Sequence, residues 1–345
     1  MIAEVVLGSP VTKHRMYGKT IYIKRDDLLD VHGLSGNKAR KYFKLLNDTI
    51  ADRDIEASKG RHSRYHLISH GGIQSNSMLA LSQIAQMNPK YKFTYFTRTI
   101  PKFLKKSPIG NYQRALSYGM QVVELNDSNY EAIVSNKDVE RILRQNSIDI
   151  EAVNFIKQGG ISQDAELGLR TLAEEIVDFV VAQTSNEDVT CDKKGWCVFV
   201  ASGTGTSAIY LNKAIQILQQ ATDGVKEKSP PVKIVAIPCV GSNEVLTKQM
   251  KLMNVEPHYF PEILDDGVVD KYPFAQPCEE HMEIWKRLCR ESTINFDLIY
   301  APRAWQQLQR VLSRYEGIYN IMYYHCGGHE GNDSQLRRYK RKGIL

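Results

Sequence analysis

The sequence lacks long apolar segments, a signal-peptide pattern and paired cysteines. No apolar run approaches the ~20 residues that a membrane-spanning helix needs. The first residues, Met-Ile-Ala-Glu-Val-Val-Leu, have no basic region followed by a long apolar segment, so we expect no signal peptide. The six cysteines are scattered without CxxC spacing, which favours reduced thiols over disulfides or a zinc site. We therefore expect a protein of the cytoplasm, or of an organelle, with no metal site.

The sequence also lacks a concentrated block of one charge. Its net charge of +6 is mild for 345 residues, and the densest basic run, Arg337–Lys342, fits a solvated helix or tail. A surface that binds nucleic acid has a clustered basic stripe interleaved with aromatic residues. We therefore expect neither nucleic acid nor a membrane as a partner.

Strand-like and helix-like segments alternate along most of the chain. The apolar stretches Tyr65–Ser69 and Trp196–Ala201 each run into a turn of small or polar residues and then into an amphipathic stretch. This alternation predicts an α/β fold with parallel sheets, and the length allows two domains. A short strand is also predicted at Phe296–Tyr300, and polar loops at 58–64 and 185–194. Because parallel strands end at one edge of a sheet, residues in these turns are candidates for a shared site.

A basic turn, Gly36–Lys41, joins a predicted strand at 22–28 to an amphipathic helical stretch at 41–46. Lys38 therefore follows a strand and precedes a helix, where catalytic groups of α/β proteins commonly lie. A lysine amine also forms Schiff bases with carbonyl compounds. Taken alone, however, three basic residues in such a turn more often form a solvated helix face.

A loop of small residues, Ser-Gly-Thr-Gly-Thr-Ser, runs from Ser202 to Ser207 after an apolar strand. Its N–H groups and hydroxyls, beside a helix N-terminus, can cradle an anion, and phosphate is the natural guest. The loop matches neither the Walker pattern nor GxGxxG, and a plain tight turn is the alternative. A lysine and a phosphate site at one sheet edge suggest pyridoxal phosphate, whose aldehyde needs an amine and whose phosphate needs a cradle.

Two other predicted strands also end in polar or glycine-rich turns. Ser75 and Asn76 follow one of them, although a serine in this position more often caps a helix than takes part in catalysis. A Cys-Gly-Gly turn at 326–328 follows the last predicted strand. Neither turn predicts a catalytic or binding site by itself. They become candidates because the turns at Gly36–Lys41 and Ser202–Ser207 also follow predicted strands.

In chain order, these motifs resemble the 1-aminocyclopropane-1-carboxylate deaminase / D-cysteine desulfhydrase family, within the tryptophan-synthase-β-like (fold type II) pyridoxal phosphate enzymes. The matching segments are Lys24–Asp27, Gly36–Lys41, Gly71–Asn76, Gly110–Asn111, Ser202–Thr206, Asp297–Tyr300 and His325–Gly328. The resemblance implies two open, mostly parallel twisted sheets flanked by helices. It also implies a larger cofactor-binding domain at 1–45 and 155–345, a smaller inserted α/β domain at 46–154, and a homodimer.

The resemblance also implies roles for residues that bind the cofactor. Lys38 is implied to be the Schiff-base lysine and the proton carrier at the substrate α-carbon. Lys41 is implied to help hold the phosphate, and Asn76 to bond the ring 3′-oxygen. The remaining phosphate-binding residues are implied to be Gly203, Thr204, Gly205 and Thr206.

The substrate implied by the resemblance is a small amino acid. Ser75 is implied to bind its carboxylate or to assist proton transfer, and Tyr300 to flank the cofactor or the substrate. An aromatic residue from the irregular stretch at 271–274 is a further candidate for the substrate cleft, with core packing as the alternative.

Ala301 and Cys326, the residues implied to lie at the ring nitrogen, depart from both branches of the family. The deaminases resemble one another in having glutamate and leucine at these positions, and the desulfhydrases in having a small hydroxyl residue and threonine. A carboxylate at the ring nitrogen keeps it protonated and makes the ring a strong electron sink. Without one, loss of a good leaving group such as thiolate is favoured over opening of an unactivated cyclopropane.

The departures favour D-cysteine desulfhydrase, which forms pyruvate, sulfide and ammonia by β-elimination. The alternative is 1-aminocyclopropane-1-carboxylate deaminase, which forms 2-oxobutanoate and ammonia. A second alternative is a homologue that binds pyridoxal phosphate without turnover. The presence of Lys38, Ser75 and Asn76 argues against that last interpretation.

Overall fold

The computed structural model of the protein describes residues 7–56, 65–150, 153–183, 193–220, 229–268 and 273–345. The polar loop predicted at 58–64 lies outside these ranges, as does most of the loop predicted at 185–194. Cys191, Lys271 and Tyr272 also lie outside them.

The chain divides into two compact units, each with its own sheet. The first unit contains the described residues up to Lys41 and those from Ala165 onward, and the second is Tyr42–Asp164. The inserted domain predicted at 46–154 falls within the second of these ranges, and its independence as a domain stays a prediction.

The first unit begins with four strands and a short helix: β1 (Val11–Met16), β2 (Lys19–Arg25), β3 (Asp30–Val31), β4 (Leu34–Ser35) and α1 (Gly36–Lys41). The strands form two antiparallel hairpins, β1 with β2 and β3 with β4. The strand predicted at 22–28 stops at Arg25, where a 3-10 turn begins. The prediction of a turn around Lys38 was wrong, because Gly36 already starts a helix there.

The second unit is a parallel sheet of four strands in the order β7-β6-β5-β8. Its strands are β5 (Tyr65–His70), β6 (Tyr91–Thr97), β7 (Gln121–Glu124) and β8 (Val153–Ile156). Its helices are α2 (Phe43–Glu56), α3 (Asn76–Met87), α4 (Lys102–Lys106), α5 (Gly110–Ser117), α6 (Asp127–Val134) and α7 (Val139–Gln145). Ile68 and Phe96 of the sheet share a buried core with Ile133 and Ile142 of the helices.

The rest of the first unit alternates helices with parallel strands. Its elements are α8 (Ala165–Gln183), β9 (Trp196–Ser202), α9 (Thr206–Gln220), β10 (Val232–Pro238), α10 (Asn243–Lys251), β11 (Glu262–Ile263), α11 (Glu279–Ser292), α12 (Ala301–Glu316), β12 (Asn320–His325) and α13 (Asn332–Arg341). The sheet order is β1-β2-β12-β9-β10-β11, and β1 with β2 is its one antiparallel pair. The predicted α/β class with mostly parallel sheets is confirmed.

Register in the first sheet brings the ends of four strands to one edge. Arg25 at the end of β2 pairs with His325 at the end of β12, and Ser202 of β9 pairs with Pro238 of β10. The turns after these strands therefore project from the same edge, which is where open α/β sheets bind ligands.

One predicted strand is wrong. Phe296–Tyr300 contains no strand, because the buried Asp297 side chain bends the chain into α12. Its carboxylate accepts hydrogen bonds from the N–H groups of Ile299 at 3.1 Å, Tyr300 at 2.5 Å and Ala301 at 3.2 Å. The bonds to Tyr300 and Ala301 satisfy donors that the N-terminus of α12 leaves without partners.

Within the ranges that the structure describes, no helix is both long and apolar enough to cross a membrane. In the same ranges, no group of three or more histidine, cysteine, aspartate or glutamate side chains is arranged to hold a metal ion.

Candidate active site

The helix that carries Lys38 is fixed against the end of β12 by two glycines. Gly36 has a φ of 62°, and a Cβ added to it would lie 2.4 Å from the carbonyl oxygen of Cys326. The same carbonyl oxygen accepts the N–H of Asn37 at 2.9 Å. A Cβ on Gly327 would in turn lie 2.9 Å from the Cα of Gly36. Only glycine allows this approach, which explains why positions 36 and 327 both need it.

A largely buried ion cluster holds the other side of α1. The Arg40 guanidinium donates to both oxygens of Asp26, at 2.7 and 2.8 Å, and to Glu175 of α8 at 2.8 and 3.0 Å. Lys24 bonds Glu175, and the Tyr324 hydroxyl donates to Asp26. Burial would raise the pKa of Asp26, but the charge and hydrogen bonds of Arg40 outweigh it and hold that pKa below its usual value.

Arg40 is therefore a structural residue and not part of a solvated face. Its side chain is 0% exposed, and the cluster connects α1 to β2, β12 and α8. The segment Lys24–Asp27, which the sequence identified only through the family resemblance, supplies two members of this cluster.

Lys38 and Lys41 both lie in surroundings that favour a neutral amine. Lys38 is half-buried, and its Nζ donates to Oδ1 of Asn37 at 2.8 Å. Burial lowers the pKa of Lys38. Burial and the neighbouring Lys38 charge lower the pKa of Lys41 to about 7. An amine must lose its proton to attack a carbonyl carbon, so these shifts suit a nucleophilic lysine.

The small-residue loop is tied directly to the Lys38 helix. The loop leaves β9 at Ser202, and Thr206 begins α9. Nδ2 of Asn37 donates to the Ser207 hydroxyl at 3.4 Å, which joins the first turns of α1 and α9. The hydroxyls of Thr204 and Thr206 bond each other at 2.9 Å. The amine of Lys38 and the predicted phosphate loop thus lie at the same edge of the first unit's sheet.

Two glycines give the loop its shape. Gly205 has a φ of 81°, and an added Cβ would lie 2.7 Å from two atoms of the Met250 side chain. An added Cβ on Gly203 would lie 3.1 Å from the hydroxyl oxygen of Tyr300. The predicted phosphate loop therefore packs against the predicted substrate-flanking tyrosine.

Tyr300 and the residues implied at the ring nitrogen also lie at this edge. Tyr300 immediately precedes α12, Ala301 is its first residue, and Cys326 follows β12. The Tyr300 and Phe274 rings are 5.1 Å apart, so an aromatic of the predicted stretch does reach this tyrosine. Burial raises the pKa of the Cys326 thiol to about 12, which keeps the thiol protonated at neutral pH.

The sequence interpretation gave Asp297 no role, although it is part of a matching segment. Its carboxylate accepts the N–H groups of Tyr300, which precedes α12, and of Ala301, the first residue of α12, and so sets where these two residues lie. Burial raises the pKa of Asp297, and its three backbone donors partly oppose that shift. The sequence placed Asp297 inside a predicted strand, so the one available signal was its residue type, because aspartate commonly accepts backbone N–H groups before a helix.

Ser75 and Asn76 lie in the second unit, at the N-terminus of α3. The Ser75 hydroxyl accepts the N–H groups of Ser77 and Met78 at 3.2 and 3.4 Å, so this serine does cap a helix. Oδ1 of Asn76 accepts a hydrogen bond from the buried Asn111 at 2.6 Å, a partner that the sequence interpretation left without a role. The implied catalytic role of Ser75 and the cofactor contact of Asn76 stay predictions.

Comparisons with known proteins agree with this architecture. No protein-family model matches the sequence. The chain is 27% identical over 329 residues to the Thermotoga maritima protein named "Putative 1-aminocyclopropane-1-carboxylate deaminase", covering 93% of each chain. It superimposes on a solved "ACC deaminase homologue" with a TM-score of 0.66, 22% identity and coverage of 99% of this chain and 95% of that one. A hydrogen sulfide-producing enzyme from Fusobacterium nucleatum gives a TM-score of 0.55, 15% identity and coverage of 95% and 96%.

The fold is that of the fold type II pyridoxal phosphate enzymes. The relative that matches nearly end to end carries a deaminase name, which agrees with the resemblance of the sequence to the 1-aminocyclopropane-1-carboxylate deaminase / D-cysteine desulfhydrase family. The similarity supports an enzyme related to these deaminases, and it does not favour the desulfhydrase branch over the deaminase branch.

Proposed function

We propose that the protein is a pyridoxal phosphate-dependent lyase or deaminase that acts on a small amino acid. One observation carries the proposal: the Asn37 side chain ties the helix of Lys38, an amine with a lowered pKa, to Ser207 in the first turn of α9, directly after the small-residue loop. The likeness to proteins named as deaminase relatives supports it. The amino-acid substrate and a homodimer, expected by family analogy, belong to the same proposal.

The residues of the first unit fit this cofactor. Lys38 offers an amine with a lowered pKa that can react with an aldehyde. The loop before α9 carries threonine hydroxyls and leads into the N-terminus of that helix, a position that stabilises a phosphate dianion. When bound, pyridoxal phosphate would supply that aldehyde and a ring that withdraws electrons from the α-carbon. Lys38 would then carry the α-proton, and Lys41 with Gly203–Thr206 would hold the phosphate.

D-Cysteine is the proposed first substrate, because nothing anionic stands at position 301. Ala301 carries no acid, and the Asp297 carboxylate next to it is engaged by backbone N–H groups. A protonated Cys326 thiol can donate a weak hydrogen bond to a neutral pyridine nitrogen. Such a ring is a weaker electron sink, which suits elimination of thiolate.

1-Aminocyclopropane-1-carboxylate is the second candidate substrate, and the name of the Thermotoga maritima relative favours it. A homologue that binds the cofactor without turnover is the third possibility. The departures at Ala301 and Cys326 are what motivate it.

The visible spectrum of the purified full chain tests the cofactor assignment. We expect an absorbance band from lysine-bound pyridoxal phosphate that Lys38→Ala abolishes, because the covalent link is lost. Lys44→Ala is the matched control, since Lys44 is an exposed lysine paired with Asp48. Absence of the band, or its persistence in Lys38→Ala, contradicts the assignment.

Two product assays on the same protein then test the substrate. Sulfide release from D-cysteine supports the desulfhydrase, and 2-oxobutanoate from the cyclopropane substrate supports the deaminase. A protein that has the band and forms neither product supports the homologue without turnover.

A further inference from the structure

A second carboxylate, Glu330, is fastened beside the helix of Lys38. Glu330 lies in the 3-10 turn His329–Gly331 after β12. Its carboxylate accepts a hydrogen bond from the hydroxyl of Ser35, the last residue of β4. Ser35 immediately precedes Gly36, where α1 begins. A charge from the turn after β12 is therefore held next to the start of the Lys38 helix.

Several charged or titratable groups act on Lys38 from the elements around it. A negative charge on Cys326 after β12, on Glu330 or on Asp297 before α12 would favour the ammonium form of Lys38. Lys41, on the same helix, lies close enough for the two amines to act on each other. Burial opposes the ammonium form and is the largest influence, so it lowers the pKa of Lys38.

Among these groups, Glu330 is the one best suited to supply a negative charge. The Cys326 thiol is neutral at ordinary pH, because burial raises its pKa to about 12. Burial also raises the pKa of Asp297, and its carboxylate already accepts hydrogen bonds from three backbone N–H groups. Glu330 is a half-buried carboxylate, and the hydroxyl of Ser35 fastens it beside α1.

We propose that Glu330, held in place by Ser35, is a positioning residue that favours the protonated form of Lys38. This inference rests on the proposed function, in which Lys38 carries the proton taken from the substrate α-carbon. A fixed carboxylate nearby favours uptake of that proton, because it stabilises the ammonium ion that forms. Glu330 therefore moves to higher pH the range over which Lys38 changes between nucleophile and proton carrier.

The test is the pH dependence with which Lys38 is labelled in the full chain after removal of any pyridoxal phosphate. An amine-acylating reagent modifies only the neutral amine, and peptide mass spectrometry measures the fraction labelled, with the exposed Lys340 as internal reference. In Glu330→Gln we expect the labelling midpoint of Lys38 to shift to lower pH. Glutamine still accepts the Ser35 hydroxyl, so a merely structural role leaves the midpoint unchanged, and that result overturns the proposal.

Two control variants distinguish a local effect of the Glu330 charge on the Lys38 midpoint from a general effect of lost charge or altered structure. Glu283→Gln removes an equal charge from an exposed pair with Lys286 and is expected to leave the midpoint where it is. Glu330→Asp keeps the carboxylate. We expect its Lys38 labelling midpoint to lie nearer to that of the original protein than the midpoint of Glu330→Gln does. A shift in Glu283→Gln as large as that in Glu330→Gln overturns the local role of Glu330.

Ser35→Ala provides a second route if Glu330→Gln does not fold. Without the hydroxyl, the Glu330 carboxylate loses its fixed position, so we expect a smaller shift of the Lys38 midpoint in the same direction. An unchanged midpoint in folded Ser35→Ala overturns the part assigned to Ser35. The labelling uses no cofactor, so a failure of the pyridoxal phosphate assignment is seen separately, in the visible spectrum.

Discussion

At the scale of single residues, Ala301 is the position on which the choice of substrate depends under the proposed function. It is the first residue of α12 and is 0% exposed. Asp297 fixes its backbone through the N–H bond at 3.2 Å, so a side chain placed at 301 has a defined starting point. Under the proposed function, an acid here would face the pyridine nitrogen and strengthen the ring as an electron sink.

We predict that Ala301→Glu shifts the ratio of the two activities toward opening of the cyclopropane ring. The added carboxylate would favour a protonated ring nitrogen, which the unactivated substrate needs more than D-cysteine does. Ala301→Gln, which adds nearly the same volume without the charge, is the control. Product formation from both substrates measures the ratio, and an equal ratio in the two variants contradicts the electron-sink argument.

At the scale of elements, α1 is a six-residue helix that depends on its neighbours. Isolated helices shorter than about 12 residues are marginal in water, so tertiary contacts must hold α1 in place. It is held by the close approach of Gly36 to Gly327, by the ion cluster of Arg40 and by the bond from Asn37 to Ser207. The position of Lys38 follows from these three contacts.

We predict that Gly36→Ala damages both stability and the Lys38 site. A non-glycine residue at positive φ costs about 1–2 kcal/mol, and the clash with the Cys326 carbonyl adds to that cost. Gly18→Ala is the matched control, because Gly18 has a φ of 71° with nothing within 4 Å of an added Cβ. Thermal unfolding and the visible absorbance band measure the two effects. Equal losses in both variants would show that the contact with Cys326 does not matter.

At the scale of the whole molecule, the ion cluster joins parts of the chain that are far apart in sequence. Asp26 and Arg40 meet Glu175 of α8 and Tyr324 of β12. Breaking such a buried pair costs about 3–5 kcal/mol, because it leaves a charge without its partner. Glu175 still faces Arg40 when Asp26 is neutralised, so the lower end of that range applies.

We predict that Asp26→Asn lowers the free energy of unfolding by about 3 kcal/mol near neutral pH. The pKa of Asp26 lies below its usual value of ~3.9 in the folded protein, so its contribution is complete above that pH and is lost as the pH falls further. In that acidic range the original protein should lose about 1.4 kcal/mol per pH unit more than the variant does.

Urea unfolding at a series of pH values on both sides of ~3.9 measures this difference. Glu174→Gln is the control, since it breaks an exposed pair with Arg170 on the same helix and is expected to cost at most about 1 kcal/mol. Parallel pH curves for the original protein and Asp26→Asn would contradict the assigned role of Asp26.

Much of the fold could be predicted because strands and helices alternate, and the spacing of apolar residues changes clearly between them. The strand at 65–69 and the helix after Ser75 are where the sequence placed them. The strand predicted at Phe296–Tyr300 was wrong, since its apolar residues are buried by packing and not by a sheet. The apolar content of this segment predicts that it is buried, but it does not predict a strand. The hydrogen bonds to Asp297 determine that the chain turns before α12.

The sequence by itself determined the α/β class, the amine Lys38 and the small-residue loop after β9. These depend on local periodicity and on residue type, which a linear sequence contains. Only the tertiary structure decided that Arg40 is fully buried with Asp26 while Lys38 stays half-buried beside Asn37, and that Glu330 reaches Ser35. Those outcomes depend on which distant carboxylate lies beside each basic group, and pairing over such separations is set by how the strands and helices pack.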